Sequence, residues 1–190
     1  MDIPGGNTIK KIKHTLKEIF FGKGWKSDIA FILLILIIYK FGIENILKIV
    51  LNTSHPLVIV ATNSMEHENF DINWYLNNNF TLEEIENFPF KDGINIGDLV
   101  IVKGVKCEEL KRGDVAVYKT KYYKYPIVHR IVKIERINNK CYITFKGDNN
   151  QDILHFERNV SMENIVGKVI FRIPYIGLPK IFLLKTFGMI

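Results

Sequence analysis

Three patterns of apolar and polar positions follow one another along the chain. From Ile9 to Phe21, the apolar residues Ile9, Ile12, Leu16 and Ile19 recur at helical spacing among lysines, which predicts an amphipathic helix. Gly22-Lys23-Gly24 breaks it. Ile29 to Ile38 is then an unbroken run of ten apolar residues, extended by Tyr39 and, past Lys40, by Phe41. A membrane span takes about 20 residues, so this run is marginal by itself. Trp25 and Tyr39 stand where interfacial aromatics stand, and Lys26 and Lys40 where lysines snorkel outward. Ile43 to Leu51 continues a helical pattern, with Glu44 and Lys48 on its polar face. A buried core helix and a cleavable signal peptide compete for the same run. No small-x-small site follows Ile38 at the right distance, and the basic lead is long for a signal peptide. The reading taken is therefore a retained anchor over 27–50 behind a basic arm over 1–26.

From Pro56 the pattern turns to β. Leu57–Thr62, Leu99–Lys103, Val115–Lys119, Ile127–Glu135, Cys141–Lys146 and Val166–Ile173 are short runs rich in Val, Ile, Tyr and Phe, several bounded by Gly-Asp or Asn-Asn turns. Asn138-Asn139 is the expected tip of a hairpin. A mostly β domain over 56–175 follows. It is interrupted at about 69–96 by a polar, asparagine-rich insertion carrying Trp74 and Tyr75, where Thr81-x-x-Glu84 predicts a capped short helix in a surface loop or flap. The tail, 176–190, is apolar but contains Lys180 and Lys185; it is a candidate for lying on a membrane or packing on the core.

With 190 residues the chain holds one domain and an appendage. A mean hydropathy of +0.06 is high for a soluble protein and favours the membrane segment. Half of the net charge of +6 lies before the apolar run, where six lysines face three acids, as the positive-inside rule expects of a cytoplasmic flank. The lysines lack the aromatic interleaving and arginine stripe of a nucleic-acid binder. Cys107 and Cys141 make neither a disulfide framework nor a metal-ligand spacing; they are structural thiols or one optional bridge.

Three clusters carry chemistry. Ser64 follows the first strand in a polar turn, His129 lies in the strand Ile127–Glu135, and Asp148 and Asp152 lie in the turn after Lys146. A serine hydroxyl becomes a nucleophile when a base takes its proton, and a histidine does this near neutral pH. On an alternating strand His129 shares a face with Ile127 and Ile131, an apolar setting that favours the neutral base. The base needs an acceptor on its other nitrogen, which either Asp148 or Asp152 could supply. The Ser64 backbone N–H and the Thr62 hydroxyl are candidate oxyanion donors. Singly, each cluster is ordinary: a turn serine, a core histidine, an Asp-Asn turn.

In order, they resemble the type I signal peptidases, in the archaeal and endoplasmic-reticulum branch that uses histidine where bacterial relatives use lysine. The resemblance runs from about Leu57 to Gly177. Asn63-Ser64-Met65-Glu66 resembles the Ser-Met box, and Ile96-Gly97-Asp98-Leu99-Val100 the Gly-Asp segment that follows it. Gly113-Asp114-Val115-Ala116-Val117-Tyr118 is similar to the next strand, and Pro126-Ile127-Val128-His129-Arg130 to the base-carrying strand. Gly147-Asp148-Asn149-Asn150 resembles the acidic box; Val166-Gly167-Lys168-Val169 with Pro174-Tyr175-Ile176-Gly177 resembles the closing segment.

The resemblance implies a complex β fold behind one transmembrane helix, and a serine endopeptidase that removes signal peptides from preproteins with no metal or cofactor. Its implied setting is the cell membrane, single-pass, with a cytoplasmic N-terminus and an extracytoplasmic catalytic domain. Its implied partners are preprotein signal peptides, membrane lipid, and translocon or processing-complex subunits, with no nucleic acid. Ser64 takes the nucleophile's position, His129 the base's and Thr62 the oxyanion hydroxyl's. Of the two acids the resemblance favours the later, Asp152, as the partner of the base, although its four-residue step from Asp148 is shorter than the family's spacing. His67 replaces a proline, and the insertion displaces the Gly-Asp segment; neither departure is expected to touch the proposed catalytic groups. Among rivals, a self-cleaving repressor protease would need a Ser–Lys pair and a DNA-binding head, neither evident here. The alternative from another class is a non-catalytic, membrane-tethered subunit of a processing complex.

Overall fold

A computed structural model describes residues 6–188, and the side chains of Ile9, Leu16, Lys26 and Lys40 lie outside what it describes. Helix α1 covers Gly6–Phe21. Helix α2, Trp25–Ile38, runs through a π-helical turn at Tyr39–Ile43 into α3, Glu44–Val50. The run Ser27–Val50 therefore forms one helix of 24 residues with mean hydropathy 2.1, none of its apolar window buried. At 1.5 Å per residue it is about 36 Å long, enough for a hydrocarbon core of about 30 Å. The apolar run that looked marginal is long enough because the helix continues past Lys40.

The chain divides into two compact units, Met1–Leu47 and Lys48–Ile190. In the second, seven antiparallel strands form one sheet: β1 (Leu57–Ile59), β2 (Leu99–Lys103), β3 (Val115–Tyr118), β4 (Ile127–Ile137), β5 (Lys140–Lys146), β6 (Val160–Ser161) and β7 (Ile165–Ile173). Their spatial order is β1-β2-β7-β3-β4-β5-β6. The mostly β expectation holds.

Strand β3 is buried on both faces, which explains its unbroken Val-Ala-Val-Tyr. Val115 and Val117 enter one core with Met65, Val100, Val102 and Val169; Ala116 and Tyr118 enter a second with Ile131, Ile143 and Phe145. The hairpin tip lies at Asn138-Asn139 as expected, with φ of 50° and 61°, the left-handed pair a tight two-residue turn requires. Cys107 and Cys141 are joined by a disulfide.

Residues 69–96 hold two short helices, α4 (Ile72–Asn77) and α5 (Leu82–Glu86), where the sequence suggested one. The Thr81–Glu84 capping box forms at the start of α5. The last helix, α6 (Leu178–Thr186), buries Ile181 and leaves Phe182 and Leu183 exposed.

Candidate active site

The turn after β1 is set from below. Met65 is fully buried in the first core, and its carbonyl accepts the N–H of Ile94, so Ser64 is held at the core's rim. The N–H of Asn149 donates to the Ser64 carbonyl at 2.9 Å, and its side-chain amide donates to the Asn63 carbonyl at 3.0 Å. The acidic-box turn thus grips the serine turn from the other side. Gly147 completes the fit. A Cβ there would lie 2.8 Å from the Ser64 carbonyl and 2.9 Å from His129 Nε2, closer than real contacts allow.

His129 is brought to Ser64 by β4. It stands opposite Ala116 of β3, whose small side chain leaves room for the ring, and it is 3% exposed. Its Nε2 lies 2.8 Å from Ser64 Oγ, and Thr62 Oγ1 lies 3.1 Å from the same oxygen. The other ring nitrogen, Nδ1, contacts Glu157 Oε1. Glu157 closes a short 3-10 turn, His155–Glu157, and is fully buried. Its Oε2 accepts the Leu154 N–H at 2.7 Å, and its Oε1 accepts the Tyr118 hydroxyl at 3.0 Å. Burial first, then the neighbouring Glu157, pushes the Tyr118 phenol far above its ordinary pKa, so it stays a donor.

Thr62, Ser64 and His129 open on a groove of about 700 Å³, walled by Val58, Val60, Ile127, Leu154, Phe156 and Ile181 among others. Two stretches of backbone beside it have unused edges among the described residues. β1 ends the sheet, and Ile127–His129 of β4 precede the pairing with β5, which begins at Arg130.

A serine, a histidine and a buried carboxylate in line beside an apolar groove fit acyl transfer to serine. The chain's relatives point the same way, although no protein-family profile matches it. The signal peptidase complex catalytic subunit of Schizosaccharomyces pombe is 28% identical over 176 residues, covering 88% of this chain and 87% of that protein. The corresponding subunit of Clavispora lusitaniae is 28% identical over 146 residues, 74% of this chain and 72% of its own. That of Sclerotinia sclerotiorum is 37% identical over 75 residues, 37% of this chain and 44% of its own.

The chain is homologous to signal peptidase catalytic subunits. These relatives and the chain's motifs point to the same branch, and to a peptidase.

Against that signal peptidase pattern, the structure brings Ser64, His129 and Thr62 together and leaves both expected aspartates elsewhere. Asp152 lies at the exposed end of its turn, where Oδ1 accepts the Trp74 indole N–H at 3.1 Å and the Ile153 N–H at 2.7 Å. The backbone bond from Ile153 lowers its pKa. Asp148 is fully buried and turned away from the imidazole. Arg130 Nε and Nη2 reach it at 2.9 and 2.5 Å, the Tyr75 hydroxyl at 2.7 Å and His67 Nε2 at 2.8 Å. Burial would raise its pKa, but Arg130 and these hydrogen bonds outweigh that and hold the carboxyl far below the usual carboxylate range. The reason for the misplacement is alternation. His129 and Arg130 point to opposite faces of β4, and Asp148 answers the arginine's face.

Two further corrections follow. His67 and the insertion do touch expected catalytic groups, since His67 and Tyr75 bond Asp148 and Trp74 bonds Asp152. The carboxylate at Nδ1, Glu157, was missed. The only cue in the sequence is an acid beside Phe156 in an otherwise polar segment, which is too weak to single it out.

Proposed function

We propose that this chain is a membrane-anchored serine endopeptidase that removes signal peptides from preproteins. The observation that carries the reading is the line from Ser64 Oγ in the groove through His129 to the buried Glu157. Its relatives' names, catalytic subunits of the signal peptidase complex, favour catalysis over a purely binding role. They also supply the candidate partners: preproteins and the other subunits of a processing complex.

In this reading a cleavage region binds extended in the groove and adds a strand beside β1 or the free edge of Ile127–His129, so backbone hydrogen bonds give affinity without fixing sequence. Ser64 attacks the scissile carbonyl while His129 Nε2 takes its proton. Glu157 holds the ring and offsets the charge of the imidazolium. The Thr62 hydroxyl and the Ser64 N–H receive the oxyanion, and His129 returns the proton to the leaving amine. Water then repeats the sequence on the acyl-enzyme. Asp148 and Asp152 take no part in the proton transfer.

The helix Ser27–Val50 is the anchor, the arm over 1–26 lies in the cytoplasm, and the catalytic domain over 56–175 lies across the membrane. The lysines of the arm support that orientation, and so does the Cys107–Cys141 disulfide, which persists in an oxidising compartment.

The test is cleavage of a preprotein by the full chain in detergent. Wild type should cut after a small residue; Ser64→Ala and His129→Ala should be inactive. An inert wild type, or a Ser64→Ala variant that cuts normally, would overturn the reading in favour of a non-catalytic subunit.

A further inference from the structure

The insertion at 69–96 has the composition of a surface flap, yet it is packed as a small core. Tyr75, Phe80, Ile85 and Phe88 are buried together against Val132 of β4. The Tyr75 ring meets those of Phe80 and Phe88 edge-on, each at 5.4 Å between centroids. Among the described residues lining the groove, none falls between 65 and 122. This is poor placement for a gate.

Beside contacts to Arg112 and Arg172, its polar contacts reach the His129 strand and the acidic-box turn that grips Ser64. The Tyr75 hydroxyl bonds Asp148. The Pro89 carbonyl accepts Arg130 Nη1 at 3.0 Å, and the Phe88 ring lies 4.6 Å from the guanidinium. At the near end, the Asn69 N–H and side-chain amide both donate to Asn149 Oδ1, at 3.1 and 2.9 Å. Arg130 directly follows His129, and Asn149 is the residue whose N–H and amide hold the serine turn. The insertion therefore fixes one neighbour of the base and one clamp on the nucleophile.

We propose that residues 69–96 are a buttress for the catalytic serine and histidine, with Tyr75 and Asn69 as positioning residues acting through Asp148 and Asn149. The inference rests on the peptidase reading. A hydroxyl 2.7 Å from a buried carboxylate fixes the carboxylate's rotation, and the rotation fixes Arg130. Removing it leaves the ion pair but loosens the angle between the two catalytic segments. A small misplacement of a nucleophile and its base is costly because their effective concentration depends on alignment.

The experiment is steady-state cleavage of a preprotein by the full chain in detergent, comparing wild type, Tyr75→Phe and Asn69→Ala. Circular dichroism at the assay temperature checks folding. Tyr75→Phe removes only the hydroxyl; Asn69→Ala removes the side-chain bond to Asn149 at an exposed site and leaves the backbone one, and carries the test if Tyr75→Phe does not fold. For a buttress, kcat falls roughly tenfold or more in the folded variants while KM stays within about twofold, since the lost interaction aligns catalytic groups and does not bind substrate. A wild-type kcat in both, or a raised KM with kcat unchanged, would overturn the proposal; the second result would make the insertion a substrate contact. A wild type without cleavage activity would instead remove the peptidase reading itself.

Discussion

Replacing Glu157 by Gln keeps the side chain's size and removes the charge that faces His129 Nδ1. The amide can also present its NH₂ to that nitrogen and favour the wrong tautomer. The expected loss is about 10³–10⁴-fold in kcat with little change in KM, the scale seen when a triad carboxylate becomes an amide. Asp152→Ala should retain nearly full activity, because its carboxylate touches only Trp74 and its own turn; preprotein cleavage checks both. Gly147→Ala tests the contact between the two turns. Its methyl would push on the Ser64 carbonyl and on His129 Nε2, so kcat should drop at least about tenfold, an outcome overpacking makes general in tight sites, while a melting curve shows whether the fold survives. At this scale Ser64, His129 and Thr62 were legible because each stands at a strand end next to chemistry that needs it. Glu157 was not, since reaching Nδ1 depends on how a 3-10 turn folds back over β3 and β4, and spacing from the acidic box does not encode that.

Among the elements, those with local signals were readable. The Asn138-Asn139 tip and the Thr81–Glu84 capping box are both decided within four residues of chain. The acidic-box turn was readable as a turn but not in its purpose, because Asp148 meets Arg130, Tyr75 and His67 only after β4, the insertion and the serine turn converge. That cluster has a pH signature. The native pKa of Asp148 is depressed, so the stability it contributes is fully present above the ordinary carboxylate range and is lost as pH falls through that range toward the lower native value. Asp148→Asn leaves Arg130 buried without its counter-charge, a loss of about 3–5 kcal/mol near neutral pH. The gap from wild type should narrow below about pH 4, where the unfolded wild-type chain begins to bind a proton that native Asp148 still excludes. Thermal unfolding of both proteins from pH 7 downward measures it; a gap that stays constant into acid would show that Asp148 is not the titrating group.

For the whole molecule, the disulfide closes a loop of 34 residues between the end of β2 and the β4–β5 hairpin. Replacing both cysteines with serine should cost about 3–4 kcal/mol, the loop-closure entropy for that length, read as a lower melting temperature of the full chain in detergent. Unchanged melting would mean that the bond is dispensable to the fold. The sequence by itself determined the helix–then–β order, the apolar run that becomes a membrane-length helix, the family motifs, and the serine and histidine. These are properties of periodicity, composition and short motifs, which act within a few residues of one another. Tertiary structure alone decided which carboxylate faces the histidine, that Asp148 serves an arginine, and that the insertion braces the site and does not cover it. Each of those depends on which face of a strand a side chain leaves and what distant segment meets it there, and neighbours apart in the chain by 28 residues (His129 and Glu157) or 73 (Tyr75 and Asp148) are brought together only by the sheet.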